Sequence, residues 1–216
     1  MTEQWNLLDA KRIESRLKTK VIGHPLEVYL KTTSTNDLAR ERGEAGQVEG
    51  WTAFAERQTA GRGRFGRKWD SAPGVGLWFS ILFRLPQNWG SPELLLQMAA
   101  LSTAEAVEPY VTGKLSLKWP NDLLLNGGKL AGFLLEVNAK REFQVLGIGL
   151  NVHRAPELPD YPTAALSDFA RAALSREELA IGILEQIERN YLAGASSDLT
   201  RRLARYGLGP SQPSVG

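Results

Sequence analysis

Residues 114–153 read KLSLKWPNDLLLNGGKLAGFLLEVNAKREFQVLGIGLNVH, and this stretch decides the fold. It reads as strand after strand. Leu115 to Trp119 is interrupted by Pro120-Asn121-Asp122, a turn tripeptide. Leu123 to Leu125 meets Lys129 to Glu136 across Asn126-Gly127-Gly128, a hairpin signal. Phe143 to Val152 then returns across the polar turn Asn138 to Arg141. Consecutive hairpins imply antiparallel pairing, so this half of the chain builds a sheet.

Upstream, apolar positions at Leu7, Leu8, Ile13 and Leu17 predict a loose helix over 6–18, followed by a short strand from Leu26 to Leu30. Ser34-Thr35-Asn36-Asp37 is a helix start in which the serine caps and Asp37 reaches back, and Gly43 is expected to end that helix. Trp51 to Glu56 and the aromatic, branched run Leu77 to Leu85 read as strands. Ser91-Pro92-Glu93 supplies a cap, an N1 proline and a first-turn acid for a helix running to about Val107. Downstream, Ser175 with Glu178 caps a helix bearing Leu179, Ile183, Ile187 and Tyr191. The expectation is an α+β domain, one mixed and largely antiparallel sheet with helices packed on one side. It should span 1–206, with a mobile glycine-, proline- and serine-rich tail over 207–216.

The chain has 216 residues, enough for one full-sized domain, and 43% apolar residues, an ordinary globular value. It contains no cysteine, which excludes disulfides, thiolate nucleophiles and cysteine-based zinc sites. His24 and His153 are the only histidines, so a histidine-rich metal site or a serine–histidine triad is not expected. The first eighteen residues carry charges throughout and lack the apolar core of a signal peptide. No stretch approaches the ~20 apolar residues that span a bilayer. A soluble cytoplasmic protein without a membrane role is expected. A net charge of only +2 gives no reason to invoke nucleic acid.

Charge is nevertheless concentrated. Arg62, Arg64, Arg67 and Lys68 stand among Gly61, Gly63 and Gly66. Gly61 to Gly66 matches G-x-G-x-x-G after a strand, but the dinucleotide reading requires a helix and then an acid about 20 residues on. Pro73, Gly74, Gly76 and a strand follow instead, with no Asp or Glu between Ser71 and Gly90. No G-K-S/T follows either, so it is not a P-loop. What remains is a basic turn, or a loop that closes on an anion: glycines allow close backbone approach, and arginine forks suit carboxylate and phosphate oxygens. Trp69 beside the cations favours the second reading, since its ring can stack on a base or cover a ligand.

Two further constellations stand out. Lys118-Trp119-Pro120-Asn121-Asp122 and Lys129-Leu130-Ala131-Gly132 place lysines and a carboxylate at turns; a lysine there is either an exposed turn residue or a cation aimed at phosphate, and Asp122 is a turn former, a metal ligand or a base. In Gly147-Ile148-Gly149-Leu150-Asn151-Val152, period-two alternation puts two glycines and an amide on one face of a strand. That leaves either an open trough beside a ligand or a structural bulge.

Together, Thr33 to Asn36, Gln58 to Trp69, Lys118 to Asp122, Lys129 to Gly132 and Gly147 to Val152 resemble, in order, the motifs of the biotin–protein ligase catalytic domain. The resemblance covers roughly residues 30 to 153. It implies a class II synthetase-like, biotin–lipoate ligase fold. It also implies a two-step reaction: biotin and ATP give biotinyl-adenylate and pyrophosphate, and a lysine of a biotin carboxyl carrier protein domain, part of a biotin-dependent carboxylase, then takes the biotin. Mg²⁺ is expected with ATP, and no protein metal ligands are assigned.

On the same basis Ser34, Thr35, Asn36, Gln58, Gly61, Arg62, Gly63, Arg64, Lys129 and Gly132 hold biotin. Arg64, Arg67, Trp69, Asn121, Lys129 and Asn151 hold ATP or the adenylate. Lys129, Arg64, Arg67 and Asp122 are the catalytic candidates, Asp122 as acceptor of the carrier lysine's proton. Homodimer formation through the sheets is also implied. Many relatives carry an N-terminal helix-turn-helix and a small C-terminal β domain, and this sequence is expected to have neither. Two alternatives are a lipoate- or octanoate-transferring enzyme of similar fold, against which the basic G-R-G-R-x-G-R-x-W loop argues, and a binding module without turnover.

Overall fold

The computed structural model describes residues 7–86, 89, 91–140, 142–159, 161–194 and 197–208. Alternating apolar runs become seven strands: β1 (Leu26–Tyr29), β2 (Thr52–Ala55), β3 (Gly76–Phe83), β4 (Leu115–Lys118), β5 (Asp122–Leu125), β6 (Gly128–Val137) and β7 (Gln144–Asn151). They form one sheet in the order β1-β2-β3-β7-β6-β5-β4. Only β1 and β2 pair in parallel; the other five pairings are antiparallel. The β5–β6 turn has Asn126 at φ 49° and Gly127 at φ 84°. Two successive positive φ values are what a two-residue hairpin turn needs, which explains the Asn-Gly pair.

Among the described residues five α-helices accompany the sheet: α1 (Ala10–Glu14), α2 (Thr35–Glu44), α3 (Pro92–Val107), α4 (Arg176–Ala193) and α5 (Ser197–Arg205). They lie on both faces, not one. The large core packs α3 and α4 against Phe79, Ile81, Phe133, Ile148 and their neighbours. On the opposite face α2 brings Ala39 against Ala53, Leu82 and Val145. Buried Trp51 joins this second cluster, so the sheet needs cover on both sides.

Other expectations shift at their ends. The loose N-terminal helix reduces to α1, capped by Asp9, which accepts from Arg12 N at 3.2 Å. The chain beyond it turns because Glu188 on α4 accepts the amides of Lys20, Val21 and Ile22 at 2.7–2.8 Å. Asn6 lies outside the described residues, as do Arg141 and 209–216 of the expected tail. Ser34 caps α2 through Asn36 N, whereas Asp37 turns away to arginine partners. Ser91 makes no side-chain cap, and Pro92 alone sets the start of α3. Ser175 does cap α4, accepting from Glu178 N at 3.3 Å.

Candidate active site

α2 covers only part of its face of the sheet, and the uncovered part is the floor of a cavity of about 790 Å³. That volume suits a ligand of drug size or larger. One cross-strand row runs through Trp78, Gly149, Gly132, Asp122 and Lys118 on five neighbouring strands, and its three middle residues line the cavity. Residues directly opposite in antiparallel strands share a face, so a glycine pair sits between an aromatic and a charged end. The expected glycine trough is present but holds the protein's own side chains. A Cβ at Gly132 would come within 2.7 Å of the Trp69 ring, and one at Gly149 would overlap the same indole. Asn36 lies over Gly147 in the same way. The glycines exist to seat these side chains.

The end of the cavity beside α2 is lined by Ser34, Thr35, Asn36 and Gln58 and is rich in hydrogen-bonding groups. Gln58 Oε1 accepts from Thr35 N at 2.8 Å and from Thr35 Oγ1 at 3.2 Å. Its Nε2 donates to Ser71 Oγ at 3.4 Å. Ser80 Oγ lies 2.6 Å from Asn36 Oδ1 and 2.7 Å from Thr35 Oγ1. Sequence reasoning missed Ser80, although a lone hydroxyl inside the apolar run LWFSILF was the available signal. Asn36 Nδ2 is buried without a partner among the described residues. An unmet buried donor costs about 1–3 kcal/mol, so it is a group awaiting an acceptor.

The basic loop forms the rim. Gly61 is not part of the cavity lining, but its carbonyl accepts from Trp69 N at 2.9 Å and so closes the loop. Gly63 N donates to Arg67 O at 2.7 Å across a single turn, Arg64–Gly66. Phe65 at the tip has φ 58° and is 84% exposed. The cations divide into two kinds. Arg62 is already paired: its guanidinium donates to Asp37 at 2.7 and 3.0 Å and to Glu136 at 3.1 Å. The hydrogen bond from Arg62 holds the Asp37 carboxyl below its usual range, against the opposing effect of burial. The anion expected to meet Arg62 is therefore supplied by the protein, and its side chain ties the loop to α2 and β6. Arg64 and Arg67 line the cavity, and neither has a carboxylate partner among the described residues.

At the far end Lys129 reaches the cavity because of a bulge. Leu123 pairs with Ala131 but Leu124 with Lys129, so Leu130 is an extra residue in β6. Without it Lys129 would share the core face with Ala131; with it Leu130 is buried and Lys129 faces the cavity. Lys129 Nζ lies 2.7 Å from Asp122 Oδ1 and 5.4 Å from the Trp69 ring centroid. That Asp122 oxygen has no well-aligned hydrogen bond, so the contact is an ion pair of poor angle rather than a directed bond. Asn121 also lines this end. Asn151 Nδ2 donates to the carbonyls of Lys129 and Ala164, both at 3.2 Å, leaving its Oδ1 buried and without a partner among the described residues.

A wall that sequence reasoning did not find, through Pro156, Leu158, Tyr161 and Thr163, closes this side. It is held because Lys129 N donates to Pro162 O at 2.8 Å and Lys129 O accepts from Ala164 N at 3.0 Å. Lys118 is absent from the lining, and its ammonium meets Tyr161. Among the described residues no group of three or more His, Asp or Glu side chains is arranged to hold a metal ion. No described helix is long and apolar enough to cross a membrane.

Residues 28–153 match the model of the biotin/lipoate A/B protein ligase family. The chain belongs to that family. A biotin–[acetyl-CoA-carboxylase] ligase of Mycobacterium tuberculosis is 39% identical over 188 residues, covering 81% of this chain and 69% of that protein. The bifunctional ligase/repressor BirA of Bacillus subtilis is 35% identical over 194 residues, 85% of this chain but 59% of its own length. Among solved structures, the biotin protein ligase of Aquifex aeolicus in complex with biotin and ATP superposes with a TM-score of 0.69 at 31% identity, covering 82% of this chain and 74% of that one. Within the family, the chain carries the biotin–protein ligase catalytic core. The matched span contains β2 to β7, the second half of β1 and every sequence-predicted site residue.

Proposed function

We propose that the chain activates biotin with ATP and transfers it to one lysine of a biotin carboxyl carrier protein domain. One observation carries this reading: a single cavity joins an amide- and hydroxyl-lined end to a far end bearing Lys129, with Arg64 and Arg67 on its rim and the Trp69 ring seated on a glycine floor between. A ureido ring suits the first end and phosphates the second. The first step brings two anions together, so it needs fixed positive charge. A biotin carboxylate oxygen attacks the α-phosphorus, the bond to the β-phosphate breaks, and pyrophosphate leaves. Arg64, Arg67 and Lys129 offset the negative charge that gathers on the non-bridging oxygens. Asn151 Oδ1, buried and free, suits the exocyclic amine of adenine. Trp69 forms the floor between the two ligands.

Mg²⁺ bound with ATP would supply positive charge to its phosphates. It needs few protein ligands there, because magnesium typically uses one or two carboxylates beside phosphate oxygens. Asp122 and Asp70 are the carboxylates that line the cavity.

In the second step the carrier amine attacks the acyl carbon, the acyl–oxygen bond breaks and AMP leaves. The amine must shed a proton, since free lysine has a pKa near 10.4. Asp122 is the acceptor in this scheme. In the empty site it is engaged by Lys129; once Lys129 turns to the acyl phosphate, a carboxylate oxygen is released to take that proton. The reaction belongs in the cytoplasm, with the chain acting as a homodimer.

The test is transfer of labelled biotin to a carrier domain, with and without ATP, beside a lipoate arm. ATP-dependent biotin transfer is expected. Lipoate transfer would move the chain to the sister activity, and binding without transfer would make it a module. Lys129→Ala or Arg64→Ala should fold normally and lose adenylate formation by ~10²-fold or more. Normal turnover in either removes that residue from the mechanism.

A further inference from the structure

Lys118 stands in a motif that the activity uses at Asn121 and Asp122, yet its own ammonium has another engagement. It lies on the cavity face of the sheet, directly opposite Asp122 in the β4–β5 register. Its Nζ is 3.0 Å from Tyr161 Oη and 4.6 Å from the Tyr161 ring centroid. Tyr161 lines the cavity wall and Lys118 does not.

The chemistry of this pair is directional. An ammonium has only donors, so in this hydrogen bond Lys118 must donate and the phenol oxygen must accept. The phenol proton is then unused within the pair. Withdrawal of charge through the accepted bond makes that O–H a stronger donor than an isolated phenol. The segment that carries it is fixed at the right place. Two residues on, Thr163 is bridged to Lys129, and Ala164 is bonded to Lys129 and Asn151. Tyr161 therefore stands beside the cationic, phosphate-receiving end and far in register from the Thr35–Gln58 end.

We infer that Tyr161 donates a hydrogen bond to a phosphate oxygen of the bound nucleotide, and that Lys118 is a positioning residue that orients and polarises that phenol without touching the nucleotide itself. The inference rests on the activity proposed above. The sequence leaves Lys118 as either an exposed turn lysine or a cation aimed at phosphate; its pairing with Tyr161 gives it a third role, acting through a neighbour.

A double-mutant cycle on biotin-dependent exchange of labelled pyrophosphate into ATP tests it. The unmutated protein must first show exchange; without it the proposed activity itself fails, a result distinct from any outcome of the cycle. Tyr161→Phe keeps the ring under the ammonium and removes only the hydroxyl. It should raise KM for ATP about tenfold, the usual loss for one charge-assisted hydrogen bond, with KM for biotin unchanged. Lys118→Met should do the same, and Lys118→Arg, which keeps a donor and a cation, should restore values close to the unmutated protein. In the double variant the loss should stay at about tenfold.

Losses that multiply to about a hundredfold would mean that Lys118 meets the nucleotide directly, and would overturn the inference. So would an unchanged KM for ATP in either single variant, or equal rises in KM for ATP and biotin. Lys118 is exposed and Tyr161 half-buried, so both variants are expected to fold, with far-UV circular dichroism as the check.

Discussion

Arg62 and Arg64 are two residues apart in the same basic loop and do opposite things. Arg62 is held by Asp37 and Glu136, partners 25 and 74 residues away in sequence, which no local pattern announces. Among the described residues the Arg64 guanidinium has the Phe65 ring, 4.9 Å from its central carbon, and no carboxylate. The motif marked all the arginines as anion ligands, and only three-dimensional contacts separate the tether from the free cations. Asp37 gives the tether a pH signature. Its carboxyl is held below the ordinary value by Arg62, so the pairing contributes stability fully above the unfolded pKa of about 3.9 and loses it as pH falls through the folded value. The stability difference between the unmutated protein and Asp37→Asn, from urea denaturation, should be constant from pH 8 to 5 and shrink below about pH 4. A difference that varies across neutral pH would contradict the assignment of the tether to this carboxylate.

Among the elements, β6 and β7 determine the site. Their strands were legible because alternation and an Asn-Gly turn are strong local signals. The glycines of β7 were legible as a close-approach surface, but not the identity of what approaches, since Asn36 and Trp69 arrive from other elements. The bulge at Leu130 was not legible. Lys129-Leu130-Ala131 reads as a plain strand, and the added residue goes with burial of Leu130 in the large core rather than with any turn chemistry. Gly149→Ala tests the floor. The new methyl overlaps the Trp69 indole, which must leave its seat. The variant should keep its far-UV spectrum and lose about 10²-fold in affinity for biotinyl-adenylate by calorimetry, as misplacement of a positioning group by about 1 Å can do. Unaltered affinity would show that the Trp69 seat is irrelevant to binding.

At the scale of the molecule, the cavity depends on a buried ion pair that the sequence did not reveal. Glu56, at the end of β2, accepts from Arg176 of α4 at 2.9 Å on both oxygens, with side-chain exposures of 1% and 4%. The same carboxylate accepts Leu8 N at 2.7 Å and Gly74 N at 3.0 Å. It thereby joins the N-terminal segment, the loop after Trp69 and α4, and fixes where the basic loop leaves the sheet. Removing one partner of such a pair strands a buried charge, so Arg176→Met should cost about 3–5 kcal/mol in urea unfolding. A loss below about 1 kcal/mol would show the pair to be incidental. The sheet class was readable from the strands, while helices on both faces were not, because the second layer rests on a few residues of α2 around Trp51.

The proposed chemistry turns on Arg64 and Arg67 receiving an acyl phosphate, with Lys129 meeting it from the other side. The most direct measurement is a crystal structure with a non-hydrolysable biotinyl-adenylate analogue. The prediction is both guanidinium groups and the Lys129 ammonium within hydrogen-bond distance of the analogue's phosphate and carbonyl oxygens, with Lys129 drawn off Asp122. Guanidinium groups still directed at solvent around a fully occupied analogue would contradict it.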